Sequence, residues 1–279
     1  MSARPREGGG AGTSRVLITG AAGGIGTAAA EEMRRRGAHV AGLDLEADPE
    51  RDIIACDITD EDAVPRAVRE AVERLGGLDV VINNAGLGVP QSAGQAPDPE
   101  ALRVIDVNLI GAWRVTAAAL PALRESPGRG RVVNVASGLA FLTVPFATAY
   151  TISKRGIVAY SDALRLEYGD EIDVTTVYPG YIKTPIHAAS EADGFALDGV
   201  VPEEKLSDAA RTLARAALGR PLRDVATTRR GGVEYAFLRR IPRRAIDRAT
   251  LSYLRRIVKD GAFKKSQIAG DFVRRLQSR

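Results

Sequence analysis

Short apolar runs with β-strand character alternate with longer helical patterns through most of this chain. Strands are predicted over residues 15–19, 38–43, 52–56, 78–82, 131–136 and 173–178, and helices over residues 24–36, 60–75, 100–124 and 149–168. Several strand segments are almost continuously apolar, which is typical of strands buried on both faces of a parallel sheet. The alternation therefore predicts an α/β fold: a doubly wound parallel sheet with helices on both faces, in a three-layer arrangement.

Composition divides the chain into three parts. Residues 1–14 are rich in glycine and arginine without an apolar run, which indicates a disordered lead-in rather than a secretory signal. Residues 15–226 are predicted to form one nucleotide-binding catalytic domain. Residues 227–279 contain 15 Lys and Arg against 4 Asp and Glu, a net charge of +11, so the remaining chain carries −7. This last part is predicted to be a basic helical extension.

Composition also excludes several classes of protein. No apolar run approaches the roughly 20 residues that span a bilayer. Cys56 is the only cysteine, so no intramolecular disulfide can form, and a reducing compartment such as the cytoplasm is expected. Two histidines and one cysteine, far apart, give no zinc site. Nucleic acid is not expected as a partner, since no recognition fold accompanies the basic charge.

A glycine-rich turn joins the first predicted strand to the first predicted helix. It contains Gly20, Gly24, Ile25 and Gly26. Glycines let the backbone turn sharply and approach a pyrophosphate closely, and the following helix offers N–H groups and a positive dipole end. The order of strand, turn, helix and second strand favours a dinucleotide site over a merely tight turn.

Further polar residues end the next predicted strands. Asp44 follows Gly26 by 18 residues, where a carboxylate accepts hydrogen bonds from a ribose 2′-OH and repels a 2′-phosphate. This predicts NAD rather than NADP, unless Asp44 only caps the next turn. Asp57 and Ile58 could contact an adenine ring, although an Asx turn at Asp57 is an equal alternative. Asn84, Ala85 and Gly86 either tie adjacent strand ends or line the cofactor cleft.

Tyr150 and Lys154 stand four residues apart in a predicted helix, and Ser137 precedes Tyr150 by 13 residues. Positions four apart share one helical face, so the lysine ammonium is expected beside the phenol. A nearby cation should lower the tyrosine pKa from about 10 and make Tyr150 a usable acid or base. Ser137 could instead simply begin a turn.

Together these segments resemble the short-chain dehydrogenase/reductase family, in its shorter, non-extended branch. The resemblance covers roughly residues 15–184 and depends on motifs in one order and spacing. They are the glycine turn, Asp44, Asn83–Gly86, Asn108, Ser137, Tyr150 with Lys154, and the run Pro179, Gly180, Tyr181, Ile182, Lys183 and Thr184.

The resemblance implies a hydride-transfer enzyme that interconverts a secondary alcohol and a ketone with a bound nicotinamide. Tyr150 would exchange the proton, and Lys154 would lower its pKa and bind the ribose. Ser137 would hydrogen-bond the substrate oxygen, while Asn108 would hold a water that relays protons, unless it faces solvent. Around the nicotinamide, the family places Pro179, Gly180, Ile182 and Thr184. An alternative is a nucleotide-sensing protein on the same fold with little turnover.

The resemblance implies that residues 186–204 form a mobile cover over the substrate, which includes His187, Phe195, Leu197, Val200 and Val201. The wall could also include Tyr181, Phe141, Leu142, Val144 and Phe146, which suits a hydrophobic alicyclic or steroid-like compound. His187 could touch substrate, whereas His39 is expected to be packed. Trp113 is expected in the core or a subunit contact.

Apolar residues recur at helical spacing from 235 to 258, with Ile246, Thr250, Tyr253 and Ile257 on one side and arginines elsewhere. Such a basic amphipathic helix can dock on the acidic domain or on a sister subunit, or lie on an anionic membrane. Docking is the favoured interpretation. The family resemblance implies a homodimer or homotetramer built partly from the helices at 100–124 and 149–168.

Overall fold

The computed structural model describes residues 13–194, 203–264, 266 and 268–277. The predicted lead-in at 1–14 therefore lies almost wholly outside the described residues, as do Phe195, Leu197, Val200 and Val201 of the predicted cover.

Seven parallel strands form one sheet in the order β3-β2-β1-β4-β5-β6-β7. The strands are β1 Arg15–Thr19, β2 His39–Asp44, β3 Ile53–Ala55, β4 Val80–Asn83, β5 Arg131–Val135, β6 Asp173–Tyr178 and β7 Asp224–Ala226. The six predicted strands are present with boundaries shifted by at most two residues, and β7 was not predicted. The order reverses between β1 and β4, and ligands of doubly wound sheets bind outside the carboxyl ends of the strands at such a point.

Helices cover the sheet on both faces. They are α1 Gly24–Arg35, α2 Ala63–Leu75, α3 Pro99–Ile105, α4 Ala112–Arg124, α5 Thr148–Tyr168, α6 Ala188–Ala192 and α7 Leu206–Leu218. One core lies between the sheet and α2, α4 and α5, and includes Leu17, Val81 and Val115. A second lies against α1 and α7 and includes Ile18 and Leu213. The fold class predicted from the sequence is confirmed.

The helix predicted over residues 100–124 is interrupted. Residues Asp106–Gly111 form a wider π-helical turn between α3 and α4. Gly111 allows this segment to approach the loop that follows β3, because a Cβ there would lie 2.8 Å from the Ile58 side chain. π-helical turns are rare and often occur at functional sites, and this one carries Asn108.

The C-terminal extension contains α8 Arg229–Leu238, α9 Arg243–Lys259 and α10 Gly270–Gln277. The helical pattern at 235–258 is thus split into two helices, because Pro242 cannot continue a helix that runs into it. Ile246, Thr250, Tyr253 and Ile257 are partly buried as expected. Leu254 and Val258 lie deeper, at 5% and 1% exposure.

The extension packs on the rest of the chain. Leu254, Val258, Phe263, Val273 and Leu276 form a separate apolar cluster, against which Phe146 and Phe272 pack. The rings of Phe146 and Phe272 meet edge to face with centroids 5.5 Å apart. The sequence favoured docking of the tail on its own domain or on a sister subunit, and the structure shows packing on its own domain. Among the described residues, no helix is both long and apolar enough to cross a membrane.

Candidate active site

The glycine turn between β1 and α1 is closely packed at the carboxyl edge of the sheet. Gly20 has a φ of +66°, and a Cβ on Gly20 would lie 2.8 Å from the Ala85 Cα. A Cβ on Gly26 would overlap the Gly20 carbonyl oxygen. No side chain caps the first turn of α1. This turn therefore needs glycines and leaves a helix N-terminus at the strand ends, where an anion can bind.

Asp44 ends β2 beside this turn. Its carboxylate accepts hydrogen bonds from the backbone N–H of Ala22 at 2.8 Å and of Leu45 at 2.8 Å. The sequence left two roles open for Asp44, turn capping and ribose binding. Capping is present in the structure, and the second role stays a prediction because each carboxylate oxygen has further acceptor capacity.

Asn84 ties β1 to β4. Its side-chain N–H group donates to the carbonyl oxygens of Thr19 at 3.0 Å and Gly20 at 3.2 Å. The Thr19 hydroxyl accepts from the N–H groups of Asn84 and Ala85 at 3.1 and 3.0 Å. Asn84 also lines the main cavity described below, together with Gly86. The position of Asn84 therefore fits both roles that the sequence left open, tying adjacent strand ends and lining the cofactor cleft.

The structure gives Asp57 and Ile58 other contacts than an adenine ring. Asp57 forms the Asx turn that was the alternative interpretation, accepting from the Thr59 N–H at 2.9 Å and the Thr59 hydroxyl at 2.7 Å. Its second oxygen accepts from Arg103 at 3.3 Å. Ile58 is 7% exposed and belongs to the core cluster that contains Val64. The Ile58 side chain packs under the π-helical turn, and its contact with adenine stays a prediction.

Ser137 and Tyr150 meet across the end of β5. Ser137 is 7% exposed, and its Oγ accepts from the Leu139 N–H at 3.2 Å, so it begins a short 3₁₀ turn. The same side chain lies close enough to the Tyr150 phenol, which α5 presents from its first turn, to lower the pKa of that phenol. The turn-forming and functional interpretations of Ser137 thus describe one geometry: the turn fixes the hydroxyl beside the phenol.

Lys154 lies one helical turn after Tyr150 and is 3% exposed. Its ammonium is 5.6 Å from the centroid of the Tyr150 ring and donates to the Val135 carbonyl oxygen at 2.9 Å. Burial lowers the pKa of Lys154 from 10.5 to about 8. The predicted proximity of ammonium and phenol is present.

The predicted direction of the Tyr150 pKa is wrong. Burial raises the pKa of the Tyr150 phenol above its ordinary value of 10, and the hydrogen bond from Ser137 offsets only part of that rise. The physical reason is that a buried phenol is hard to ionise, while the Lys154 ammonium is directed to a carbonyl oxygen. The phenol is therefore protonated at neutral pH in this structure.

Asn108 is fixed inside the π-helical turn and is 2% exposed, which excludes the solvent-facing alternative. Its side-chain oxygen accepts from the Leu87 N–H at 2.7 Å, and its amide donates to the Leu87 carbonyl oxygen at 2.9 Å and the Ser153 hydroxyl at 3.1 Å. Gly86 separates this amide from Lys154: a Cβ on Gly86 would lie 3.4 Å from the Asn108 oxygen and 3.5 Å from the ammonium. The relay role stays a prediction.

The run after β6 reaches the glycine turn. A Cβ on Gly24 would lie 3.1 Å from the Thr184 methyl group, so Thr184 lies against the start of α1. Pro179, Gly180 and Thr184 line the main cavity. Ile182 is 4% exposed and is not among the lining residues, and its contact with the nicotinamide stays a prediction.

One cavity of about 460 Å³ brings these groups together. Its wall includes Ile25, Asn84, Gly86, Ser137, Tyr150, Lys154, Pro179, Gly180 and Thr184. Of the predicted substrate wall, Leu142, Val144, Tyr181 and His187 line it, and the rings of Tyr181 and His187 lie 4.8 Å apart. Phe141 and Phe146 were predicted wrongly, because they pack on the extension, against Tyr235 and Phe272.

Sequence reasoning missed the polar side of this cavity. Glu203, Glu204, Lys205 and Asp208 line it from the segment before α7, and Arg230, Glu234, Tyr235 and Leu238 line it from α8. The Glu204 carboxylate accepts from the Gly180 N–H at 2.9 Å and from the hydroxyls of Thr227 and Thr228. Glu204 thus holds the turn after β6 to the start of the extension. No motif marked this contact, since the partners are 23 or more residues apart.

One other expectation fails. His39 is exposed at the amino end of β2 rather than packed, because the first residue of the strand lies at the opposite sheet edge from the site. Trp113 is 55% exposed and packs against Tyr160 with ring centroids 5.4 Å apart, which excludes the core alternative and leaves the subunit contact as a prediction. Among the described residues, no cluster of His, Cys, Asp and Glu could hold a metal ion.

Comparison with known proteins agrees with this geometry. The family model described as short chain dehydrogenase matches residues 14–194. The chain belongs to the short-chain dehydrogenase/reductase family. It is similar to the oxidoreductase UcpA of Escherichia coli K12, with 31% identity over 221 residues, 74% of this chain and 82% of that protein.

Crystal structures of other short-chain dehydrogenases are similar as well. One from Burkholderia cenocepacia J2315 in complex with NADP aligns at a TM-score of 0.71 and 25% identity, covering 86% of this chain and 98% of that chain. The 3-ketoacyl-(acyl-carrier-protein) reductase of Brucella melitensis, complexed with NADH, aligns at 0.66 and 26% identity, covering 77% and 98%. As a short-chain dehydrogenase/reductase, the chain is an oxidoreductase that acts on CH–OH groups.

Proposed function

We propose that this protein is an NAD-dependent oxidoreductase that interconverts a secondary alcohol and a ketone, with Tyr150 as the acid and base. The observation that carries the proposal is that the Ser137 and Tyr150 side chains line the wall of one cavity, with the Lys154 ammonium 5.6 Å from the centroid of the phenol ring. Two hydroxyls and a buried cation at one point can bind an oxygen atom and exchange its proton.

The carboxyl edge of the sheet fits a dinucleotide. The turn at Gly20–Gly26 excludes side chains by overlap, and the first turn of α1 has no side-chain cap, which together suit a pyrophosphate. Asp44 would accept from a ribose 2′-OH and repel a 2′-phosphate, which favours NAD over NADP. When bound, the nicotinamide supplies the hydride acceptor or donor.

The chain's own residues then have separable tasks. Ser137 would donate a hydrogen bond to the substrate oxygen and hold it beside the phenol. Tyr150, protonated at neutral pH because burial raises its pKa, would give its proton to a ketone oxygen. In the oxidative direction it must first lose that proton, and the Lys154 charge stabilises the phenolate. Oxidation should therefore speed up as the pH rises above neutral, whereas reduction should not.

The cavity wall supports a mainly apolar, ring-shaped substrate. Leu139, Leu142, Val144, Ile186 and Leu238 provide apolar surface around the hydroxyl pair. We therefore propose an alicyclic or steroid-like alcohol or ketone as the substrate class. The reducing compartment indicated by the single cysteine is consistent with a cytoplasmic enzyme.

The direct test mixes purified protein with NAD or NADP and a panel of alicyclic secondary alcohols, and follows absorbance of the reduced nicotinamide. Turnover with a preference for NAD is expected. In Asp44→Ser, the ratio of kcat/KM for NAD over NADP should fall at least about tenfold, as for loss of one hydrogen bond to a charged group. Binding of NAD without turnover of any alcohol or ketone would overturn the proposal and favour a nucleotide sensor.

We also propose that the protein is a homodimer or homotetramer assembled through α4 and α5. Trp113 is 55% exposed on α4, and Ile152 and Leu166 are 52% and 88% exposed on α5. Such exposed apolar groups on adjacent helices are typical of a subunit contact. Light scattering should give a multiple of the chain mass that Trp113→Glu lowers. A monomeric wild-type protein would contradict this.

Membrane contact is a weaker proposal with one observation in its favour. Val233 and Phe237 on α8 are 72% and 63% exposed, and Arg229 and Arg240 border the same surface. A basic helix with exposed apolar groups can lie on anionic lipid. Co-sedimentation with phosphatidylserine vesicles tests it by comparing wild type with Phe237→Ser: equal pelleting of the two proteins would remove the idea.

A further inference from the structure

Part of the cavity wall is formed by the C-terminal extension. Helix α8 begins at a fixed point, because the Thr228 hydroxyl accepts from the Gly231 N–H at 3.0 Å and donates to Glu204 at 3.0 Å. From this start, Arg230, Gly231, Glu234, Tyr235 and Leu238 fall on the cavity wall. The extension thus completes the site.

Tyr235 is held rigidly within this wall. Its ring packs against Phe141 with centroids 4.9 Å apart and against Tyr178 at 6.3 Å. The Arg239 guanidinium lies 4.8 Å over the Phe141 ring and 5.8 Å over the Tyr178 ring. Such aromatic packing orients a side chain at low entropic cost. The direction of the Tyr235 hydroxyl is therefore set before any ligand arrives.

That hydroxyl lies beside the catalytic serine. A Cβ on Gly138 would overlap the Tyr235 hydroxyl and would lie 2.9 Å from its Cζ. The hydroxyl oxygen is therefore within about 4 Å of the Gly138 Cα, and since adjacent Cα atoms are 3.8 Å apart, within about 8 Å of the Ser137 Cα. The two side chains are therefore near enough for one small ligand to contact both.

The Tyr235 hydroxyl makes no hydrogen bond to any group in the part of the chain that the structure describes, although the residue is only partly exposed. Buried hydroxyls are normally satisfied, so a hydroxyl held at a cavity wall without a protein partner is available to a ligand. Burial and the nearby carboxylates of Glu204 and Glu234 raise the pKa of the phenol. It remains a neutral donor throughout the physiological range.

The neighbouring charges restrict what the hydroxyl can bind. Four carboxylates line this side of the cavity, at Glu203, Glu204, Asp208 and Glu234. Lys205 and Arg230 also line it, but Arg230 is ion-paired with Glu234 at 2.8 Å, so the carboxylates outnumber the cations by four to two. A carboxylate or phosphate ligand would be repelled here, whereas a hydroxyl can accept from the phenol and donate to a carboxylate.

We propose that Tyr235 is a specificity-determining residue that hydrogen-bonds a second, uncharged hydroxyl group of the substrate. The preferred substrate is then an alicyclic diol or hydroxyketone whose two oxygens lie across one ring, rather than a simple alcohol. This rests on the proposed function, since it assumes that the first oxygen is bound by Ser137 and Tyr150.

The test compares kcat/KM of wild type and Tyr235→Phe for cyclohexanol and for the cyclohexane-1,2-, 1,3- and 1,4-diols with NAD. Sites that hydrogen-bond a substrate group reject analogues without it, so wild type should prefer at least one diol about tenfold or more. Tyr235→Phe keeps the ring packing and should lose that preference by lowering kcat/KM for the diol about tenfold. Its rate with cyclohexanol should change less than about twofold.

The matched control is Tyr178→Phe, which removes a neighbouring hydroxyl that donates to Asp224 at 2.8 Å and does not line the cavity. It should keep the diol preference. The inference is overturned if wild type prefers cyclohexanol, or if Tyr235→Phe changes both substrates equally or neither. Absence of any wild-type turnover would instead reject the proposed function itself, which separates the two failures.

Discussion

Substitution of Lys154 by methionine should stabilise the protein while removing its activity. Lys154 is 3% exposed, and its ammonium donates a hydrogen bond to the Val135 carbonyl oxygen at 2.9 Å. Methionine has a similar length without the charge, so it fills the same volume. The lysine is retained at a cost in stability because the site needs a cation beside Tyr150.

The magnitude follows from the pKa. Burial lowers the pKa of Lys154 from 10.5 to about 8, and each pKa unit corresponds to about 1.36 kcal/mol. Keeping the ammonium charged in the fold at pH 7 therefore costs about 3 kcal/mol. The variant also loses the hydrogen bond to Val135, which lowers its free energy of unfolding by about 1 kcal/mol. The net expectation is a gain of about 2 kcal/mol in the free energy of unfolding, or about 5 °C in Tm.

The pH dependence has a definite sign. Below pH 8 the lysine is protonated in both folded and unfolded states, so the penalty is fully present. Between about 8 and 10.5 the folded state releases its proton first, and the stability of the wild type rises with pH relative to the variant. Near pH 10.5 the advantage of Lys154→Met should have largely disappeared.

Urea unfolding of both proteins at pH 7 and pH 10.5 measures these differences, with NAD-dependent turnover measured in parallel. Lys259→Met, on an exposed lysine of α9, is the control and should change stability by less than about 0.5 kcal/mol. A Lys154→Met variant that is less stable than wild type at pH 7, or whose advantage is the same at both pH values, would refute this reasoning.

Two further changes test the glycine turn and the docked tail. Gly26→Ala places a Cβ onto the Gly20 carbonyl oxygen and should weaken NAD binding at least about tenfold, measured by titration calorimetry. The control Gly128→Ala, where no atom lies within 4 Å of the new Cβ, should bind NAD normally. Equal NAD affinities of the two variants would contradict the close-packed turn. Phe272→Ala removes the edge-to-face contact with Phe146 and should lower the free energy of unfolding by about 2 kcal/mol; an unchanged urea midpoint would mean that the extension is not docked as described.

The sheet was predictable because its strands are buried on both faces and read as continuous apolar runs. β7 escaped prediction because Asp224–Ala226 is only three residues long and partly exposed. Helix α7 was not among the predicted helices, although its sequence has a helical pattern. Apolar residues recur on one face and are buried, namely Ala209, Ala210, Leu213, Ala214 and Ala217.

The site was predictable where local spacing sets the geometry. Tyr150 and Lys154 share a helical face, and Ser137 follows a buried strand, so their proximity could be expected. The raised pKa of Tyr150 could not, because it depends on how deeply the fold buries the phenol. Tyr235 and Glu204 were also missed, since their roles depend on where the extension folds back and no short-range pattern records that.

The measurement that tests the account most directly is NAD-dependent turnover by Tyr150→Phe, with Tyr160→Phe on the same helix as its control. Loss of the Tyr150 hydroxyl should lower kcat at least about 100-fold, the lower end of general acid–base catalysis, while NAD affinity and the urea midpoint stay close to wild type. Tyr160, packed against Trp113 away from the cavity, should retain full activity as phenylalanine. Turnover by Tyr150→Phe at the wild-type rate would contradict the central claim.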